Sequence, residues 1–174
     1  MKKILFLIFF TLLSFYANAS SMPDETGQVV DGIYTDWTVF VLDNDVGGKK
    51  CYIATFPKKS IGNYKEKREP YVLITRFERK KVEEVSIYSG YEYKLNSNIF
   101  VSIDSDQYRM FVKDDIAWAK SEIQDKEMIK KMLKGATIKV RGESSSGSYT
   151  VDEYSLKGIT QAYRRMKELC KEEQ

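Results

Sequence analysis

Two cysteines and no histidine set the chemistry open to this 174-residue chain. Without imidazole there is no Ser-His-Asp or Cys-His nucleophile, no His-ligated zinc or haem, and no histidine switch. Cys51 and Cys170 alone cannot hold a zinc ion or an iron–sulfur cluster. A redox pair would use Cys-x-x-Cys spacing, where proximity and a helix N-terminus depress the thiol pKa, and these cysteines lie far apart. The reading that fits best is one structural disulfide, with redox chemistry and unpaired or intermolecular cysteines as alternatives.

The remaining candidates for chemistry are acids and aromatics. Asp104-Ser105-Asp106 and Asp114-Asp115 suggest calcium or paired-carboxylate catalysis. Calcium takes six to eight oxygens, usually from a longer loop, and nothing selects one facing pair for glycosidase chemistry. Gly142-Glu143-Ser144-Ser145-Ser146-Gly147 lacks the Gly-Lys-Ser/Thr ending of a phosphate loop and reads as a hairpin turn. Trp37 alternates with Val39 and Val41 and reads as core; Trp118 is either core or a stacking surface. Tyr88, Tyr91 and Tyr93 around Gly90 form the one candidate interaction surface. No catalytic residue, metal site or cofactor is expected.

These residues must be positioned by short elements with a period of two. Strand-like runs cover Asp36–Leu42, Lys50–Phe56, Tyr71–Glu78, Val82–Ser89, Tyr91–Leu95, Ile99–Ile103, Gln107–Val112, Ala136–Gly142 and Tyr149–Tyr154. Turn chemistry separates them at Asp43-Asn44-Asp45, Gly62-Asn63, Asn96-Ser97-Asn98 and Asp104-Ser105-Asp106. Two runs have helical spacing: Asp125–Lys134, with Gly135 placed to end it in a left-handed cap, and Gly158–Lys171. Cys170 falls on the apolar stripe of the second helix, and Cys51 shares a strand face with Ile53. Both point inward, so a bridge would pin the last helix across the sheet. The expected fold is mainly β: an antiparallel sandwich or barrel-like domain with two short helices, one C-terminal, and one disulfide.

The first nineteen residues give an address. Met1-Lys2-Lys3 is cationic, Ile4–Leu13 is apolar apart from Thr11, and Ala17-Asn18-Ala19 offers small residues to signal peptidase. This predicts a secretory signal at 1–19 cleaved after Ala19, a flexible leader at 20–33 and a single domain over 34–174, in the periplasm or at the outer surface. The apolar stretch is shorter than the roughly 20 residues of a membrane span, and no other candidate span follows. Two of the 28 basic residues and none of the 25 acidic ones lie in the signal, so its removal lowers the net charge from +3 to +1. Lys58-Lys59, Arg79-Lys80-Lys81 and Arg164-Arg165 lie beside acids and read as solvated surface. Nucleic acid is not an expected partner.

Several segments together carry a family resemblance. Asp36-Trp37-Thr38-Val39, Lys50-Cys51-Tyr52-Ile53-Ala54 with Pro57, Pro70-Tyr71, Gly90-Tyr91-Glu92-Tyr93 and Trp118 lead into the helix that ends at Gly135. Gly142–Gly147 follows, then Asp152-Glu153-Tyr154-Ser155-Leu156-Lys157-Gly158-Ile159, Ala162 and Cys170. Over nearly the whole mature chain this resembles the invasion-associated locus B (IalB) family of exported bacterial proteins. The Ser-Leu-x-Gly ending and the flanking cysteines are the most specific parts. The chain departs from the family in lacking the central cysteine pair of some members and in having Ile159 where an aromatic is usual. The resemblance implies a small β-rich periplasmic or surface domain, linked to host-cell invasion and without an established catalytic activity. The function expected is that of a non-enzymatic module binding a protein partner in the envelope or on a host cell. The alternatives are an accessory protein that assists envelope folding or an enzyme partner, and a carboxylate hydrolase.

Overall fold

The computed structural model describes residues 27–43, 48–78, 80, 82–97 and 99–171. The expected signal and residues 20–26 of the expected leader lie outside them. Eleven strands and two helices follow in chain order: β1 (Gln28–Tyr34), β2 (Trp37–Leu42), β3 (Lys50–Thr55), β4 (Lys59–Gly62), β5 (Tyr71–Phe77), β6 (Glu83–Tyr88), β7 (Ile99–Ile103), β8 (Asp106–Lys113), β9 (Ile116–Trp118), α1 (Glu122–Met132), β10 (Thr137–Glu143), β11 (Tyr149–Ser155) and α2 (Ile159–Leu169). All strand pairs are antiparallel, in the order β1-β2-β3-β5-β6-β9-β8-β7-β10-β11-β4. The sheet does not close into a barrel, since β1 and β4 remain as its edges.

β8 carries the chain between the two halves of the sheet. Its first part, Asp106–Met110, pairs with β7, and its last part, Phe111–Lys113, pairs with β9. Alternation then directs Val39, Ile53, Val72, Ile74, Val85 and Ile87 from one half into the same core as Val101, Ile103, Ile138, Val140 and Tyr154 from the other. This is a sandwich-like arrangement made from one folded sheet.

The Ser155–Ile159 segment clasps the halves together. The Trp37 indole N–H donates to the Ser155 carbonyl at 3.1 Å, and the Asp36 N–H donates to the Lys157 carbonyl at 3.2 Å. Gly158 sits at φ 90°, and a Cβ there would lie 1.9 Å from the Tyr34 carbonyl oxygen. Only glycine lets the β1–β2 turn approach this closely while α2 begins. Ile159, Ala162 and Met166 are the buried residues of α2, which lies over β1, β2 and β3. The Ser-Leu-x-Gly motif is therefore a docking device between the chain's first hairpin and its last helix.

Four sequence expectations need correction. Gln28–Ile33 of the expected leader belong to β1, which pairs with β2 through a register shift between Val30 and Gly32 that hides its period of two. Tyr91–Leu95 is not a strand: only Tyr93 makes a bridge, to Ser144. α1 starts at Glu122 because Ser121 caps it, its hydroxyl accepting the Gln124 N–H at 3.3 Å. Its cap is Leu133 in right-handed geometry, not Gly135; a Cβ on Gly135 would lie 2.7 Å from the Asp104 carboxylate. β4 and β9 escape a pattern reading, one being wholly exposed and the other only three residues long.

Cys51 and Cys170 form the expected disulfide, Cα atoms 6.0 Å apart and 119 positions apart in sequence. Both are buried. Among the described residues no helix is long and apolar enough to cross a membrane.

Candidate functional site

The tyrosines around Gly90 do not share a surface. Gly90 has φ 76°, and a Cβ there would lie 2.6 Å from the Arg68 Cβ, so the segment carrying Arg68 passes directly over it. Beyond this turn Tyr91 and Tyr93 go inward, only 6% and 3% exposed, which removes them from the expected interaction surface. The Tyr91 hydroxyl lies 2.7 Å from the Thr150 Oγ1, and the Tyr93 hydroxyl bonds that of Ser89. Their rings meet edge-on at 5.4 Å, and burial raises the pKa of both hydroxyls. The reason is local: Gly90 lets the chain turn under its neighbour, and the tyrosines find polar partners inside.

Those partners flank a buried ion pair. β11 turns Thr150, Asp152 and Tyr154 toward the core, and Asp152 is fully buried. Arg68, its side chain 9% exposed, reaches in from the connection before β5. Its Nη1 donates to the Asp152 Oδ2 at 2.7 Å and to the Ser89 carbonyl at 3.1 Å. Its guanidinium carbon also lies 5.7 Å from the centre of the Tyr91 ring. Sequence reasoning missed Arg68. The signal was Asp152, on the same strand face as Tyr154: an acid facing the core needs a cation.

Above this pair the surface is dished. Phe56, Arg68, Tyr71, Tyr88 and Gly90, with Lys67 and Glu69 at the rim, line a depression of about 450 Å³. Tyr71 and Tyr88 are direct cross-strand partners with ring centres 4.9 Å apart, and Phe56 meets Tyr71 edge-on at 6.4 Å. Phe56 is 55% exposed, while Tyr71 and Tyr88 are half-buried. Tyr88 is thus the one residue of the expected tyrosine surface that reaches a candidate site. Arg68 lines the depression beside this aromatic wall while its guanidinium is held by Asp152, and the exposed rings offer apolar surface there.

The acidic turns have structural partners. The Asp104 carboxylate accepts the backbone N–H groups of Ala136 and Thr137 at 3.0–3.3 Å, which hold its pKa below the usual aspartate value. Asp106 pairs with Lys131 at 2.8 Å, and Asp114 occupies a turn at φ 58°. Among the described residues no three metal-binding side chains converge. Trp37 is core, whereas Trp118 is half-buried and lines a second depression of about 330 Å³ with Glu84, Glu122 and Asp125.

Asp125, on α1, is buried and accepts the Val85 N–H at 2.7 Å. Burial raises its pKa, Glu84 and Glu122 add to the rise, and the Val85 N–H opposes it. The proton is held more tightly in the folded chain, so the stabilising contribution of Asp125 is fullest at low pH and is lost as pH rises through its folded pKa. Asp125→Asn keeps an acceptor without the buried charge. In urea titrations it should gain on the native chain as pH moves from acidic to neutral. Asp125→Ala should lose about 1–3 kcal/mol by orphaning the Val85 N–H.

The geometry defines a class: an open antiparallel sheet folded over one core, tied by one disulfide to its last helix, with an aromatic depression on its surface. The family model described as "Invasion associated locus B (IalB) protein" matches residues 37–167. The chain belongs to that family, as its motifs indicated. No curated protein and no solved structure gives a match.

Proposed function

We propose that this chain is an exported envelope protein that acts by binding a protein partner, in the role in host-cell invasion that its family name describes. The observation that carries the reading is the Phe56–Tyr71–Tyr88 depression, an aromatic surface open to solvent beside the buried Arg68–Asp152 pair. Aromatic anchors in preformed pockets dominate protein interfaces. The signal-like segment at 1–19 and the disulfide support export, because disulfides persist in oxidising compartments. Binding is favoured over catalysis because the buried acids Asp152 and Asp125 are engaged by Arg68 and by the Val85 N–H.

The test is crosslinking and affinity capture of the tagged mature protein from the envelope fraction, run beside Phe56→Ser. Phe56 is exposed, so the variant should fold normally. It should lose most of a specific crosslinked partner, since truncating an anchor typically costs 2 kcal/mol or more, roughly thirtyfold in Kd. Undiminished capture of the same partner by Phe56→Ser would overturn the assignment of the depression.

A further inference from the structure

A second surface lies on the outer face of strands β8, β7, β10, β11 and β4. The registers align Ile61, Val151, Arg141, Phe100 and Arg109 in one row across five strands. Directly opposed residues project to the same side, so the row is a continuous outward strip. Phe100 is 44% and Ile61 53% exposed; Phe100, Arg141 and Val151 line a trough of about 1140 Å³ with Tyr149 and Leu95 at its margins, and Ile61 and Arg109 stand at the two ends of the row beside it. The row itself holds two cations and no acid; the acid that lines the trough beside it, Glu143, is already paired with Lys94 at 2.8 Å. Arg109 lies over the Phe100 ring at 5.5 Å. Arg141 is exposed and, among the described residues, engages no carboxylate. Its neighbour Lys139, by contrast, pairs with Glu153 at 3.4 Å.

Charge complementarity calls for a negative occupant. Ile61, Val151 and Phe100 call for apolar contact in the same strip, which a purely ionic ligand would leave wet. Arginine beside aromatic side chains is the composition of protein interfaces. Nucleic-acid surfaces rest on a large positive excess, and the mature chain's net charge is near +1. We propose that this face binds an acidic segment of a partner protein, with carboxylates on Arg141 in the trough and on Arg109 beside it, and apolar side chains on Phe100 and Val151. It shares no lining residue with the aromatic depression and stands whether or not that depression binds.

The probes are a random copolymer of glutamate and tyrosine, poly-glutamate and heparin, titrated calorimetrically into the disulfide-bonded mature protein at low and at physiological salt. The copolymer should bind more tightly than either of the other two and should weaken as salt rises. Arg141→Glu should weaken it at least roughly tenfold, and Arg141→Gln by less. Phe100→Ser should weaken the copolymer and leave poly-glutamate unchanged, which separates apolar from ionic contact. Phe56→Ser should leave poly-glutamate binding unchanged, which separates this surface from the depression. All three side chains replaced are exposed, so melting temperatures of the four variants should match that of the native chain. No binding of the copolymer, equal binding by Arg141→Glu, or tighter binding of heparin with no effect of Phe100→Ser would overturn the proposal, the last in favour of a general polyanion site.

Discussion

Asp152→Ala should cost the domain about 3–5 kcal/mol, because it leaves the Arg68 guanidinium buried without a counter-charge. Domains of this kind are stable by only about 5–15 kcal/mol in total, so the melting midpoint should fall by roughly 6–20 °C. Arg68→Ala should do similar damage by stranding a fully buried carboxylate. The loss is not the net worth of the pair. Taking both charges out of water is expensive, and Arg68→Met combined with Asp152→Leu should recover much of either single loss. The surface pair Lys131–Asp106, with side chains 48% and 40% exposed, supplies the contrast. Asp106→Ala should cost less than about 1 kcal/mol, since water and salt screen an exposed pair. Chemical denaturation of the four variants checks the whole set. A loss from Asp152→Ala no larger than that from Asp106→Ala would show that the buried pair relaxes into solvent. The structural stake is more than stability: Arg68 lines the aromatic depression and lies against Tyr91, so a folded remnant of either single variant should also reshape the depression beside Phe56 and Tyr88.

What could be read from the sequence was what repeats or what has few alternatives. Strands such as β10 and β11 alternate cleanly because one face is core and the other solvent, so their period survives in the residues. With two cysteines, each on an apolar face, a single pairing was the simplest outcome. The edges were harder. β1 has a bulge that breaks its period, and β4 is exposed along its whole length, so it exists through backbone pairing with β11 and not through its side chains. The candidate site was legible only in part. Tyr88 was named for its type and setting, but its neighbours in space, Phe56 and Tyr71, come from the residue after β3 and the start of β5. Tyr91 and Tyr93 looked like surface because tyrosine suits both surface and core. The choice was made by Ser89 and Thr150, which give their hydroxyls buried partners. Local pattern carries no information about such long-range polar matches, and Arg68, 84 positions from Asp152, is the extreme case.

Reduction of the Cys51–Cys170 bond should cost about 2–5 kcal/mol, since it releases a loop of more than 100 residues in the unfolded chain. The melting midpoint should drop by roughly 5–20 °C. The loss should not be spread evenly over the fold. The N-terminal end of α2 is held by the Tyr34–Gly158 approach and the Asp36–Lys157 hydrogen bond, neither of which depends on sulfur. Its C-terminal end depends on the disulfide, on the Arg76 Nε donating to the Cys170 carbonyl at 3.1 Å, and on Lys49 reaching the Leu169 carbonyl at 3.4 Å. Hydrogen exchange after reduction should therefore accelerate first at Glu168–Cys170, then along α2 toward Ile159, while β3 and β5 keep their protection. Cys51→Ala and Cys170→Ala should each reproduce most of the loss, and the double variant should be about as stable as either, because the two residues act as one bond. Both side chains are also packed, at 0% and 1% exposure, so a small part of each loss belongs to the cavity and should add. Strictly additive losses would mean that the cysteines stabilise by packing alone, and two free thiols in protein recovered from the periplasm would show that the bond does not form there. If the helix instead frays from Ile159, the clasp at Gly158 is weaker than its geometry indicates, and the disulfide alone holds α2 to the sheet.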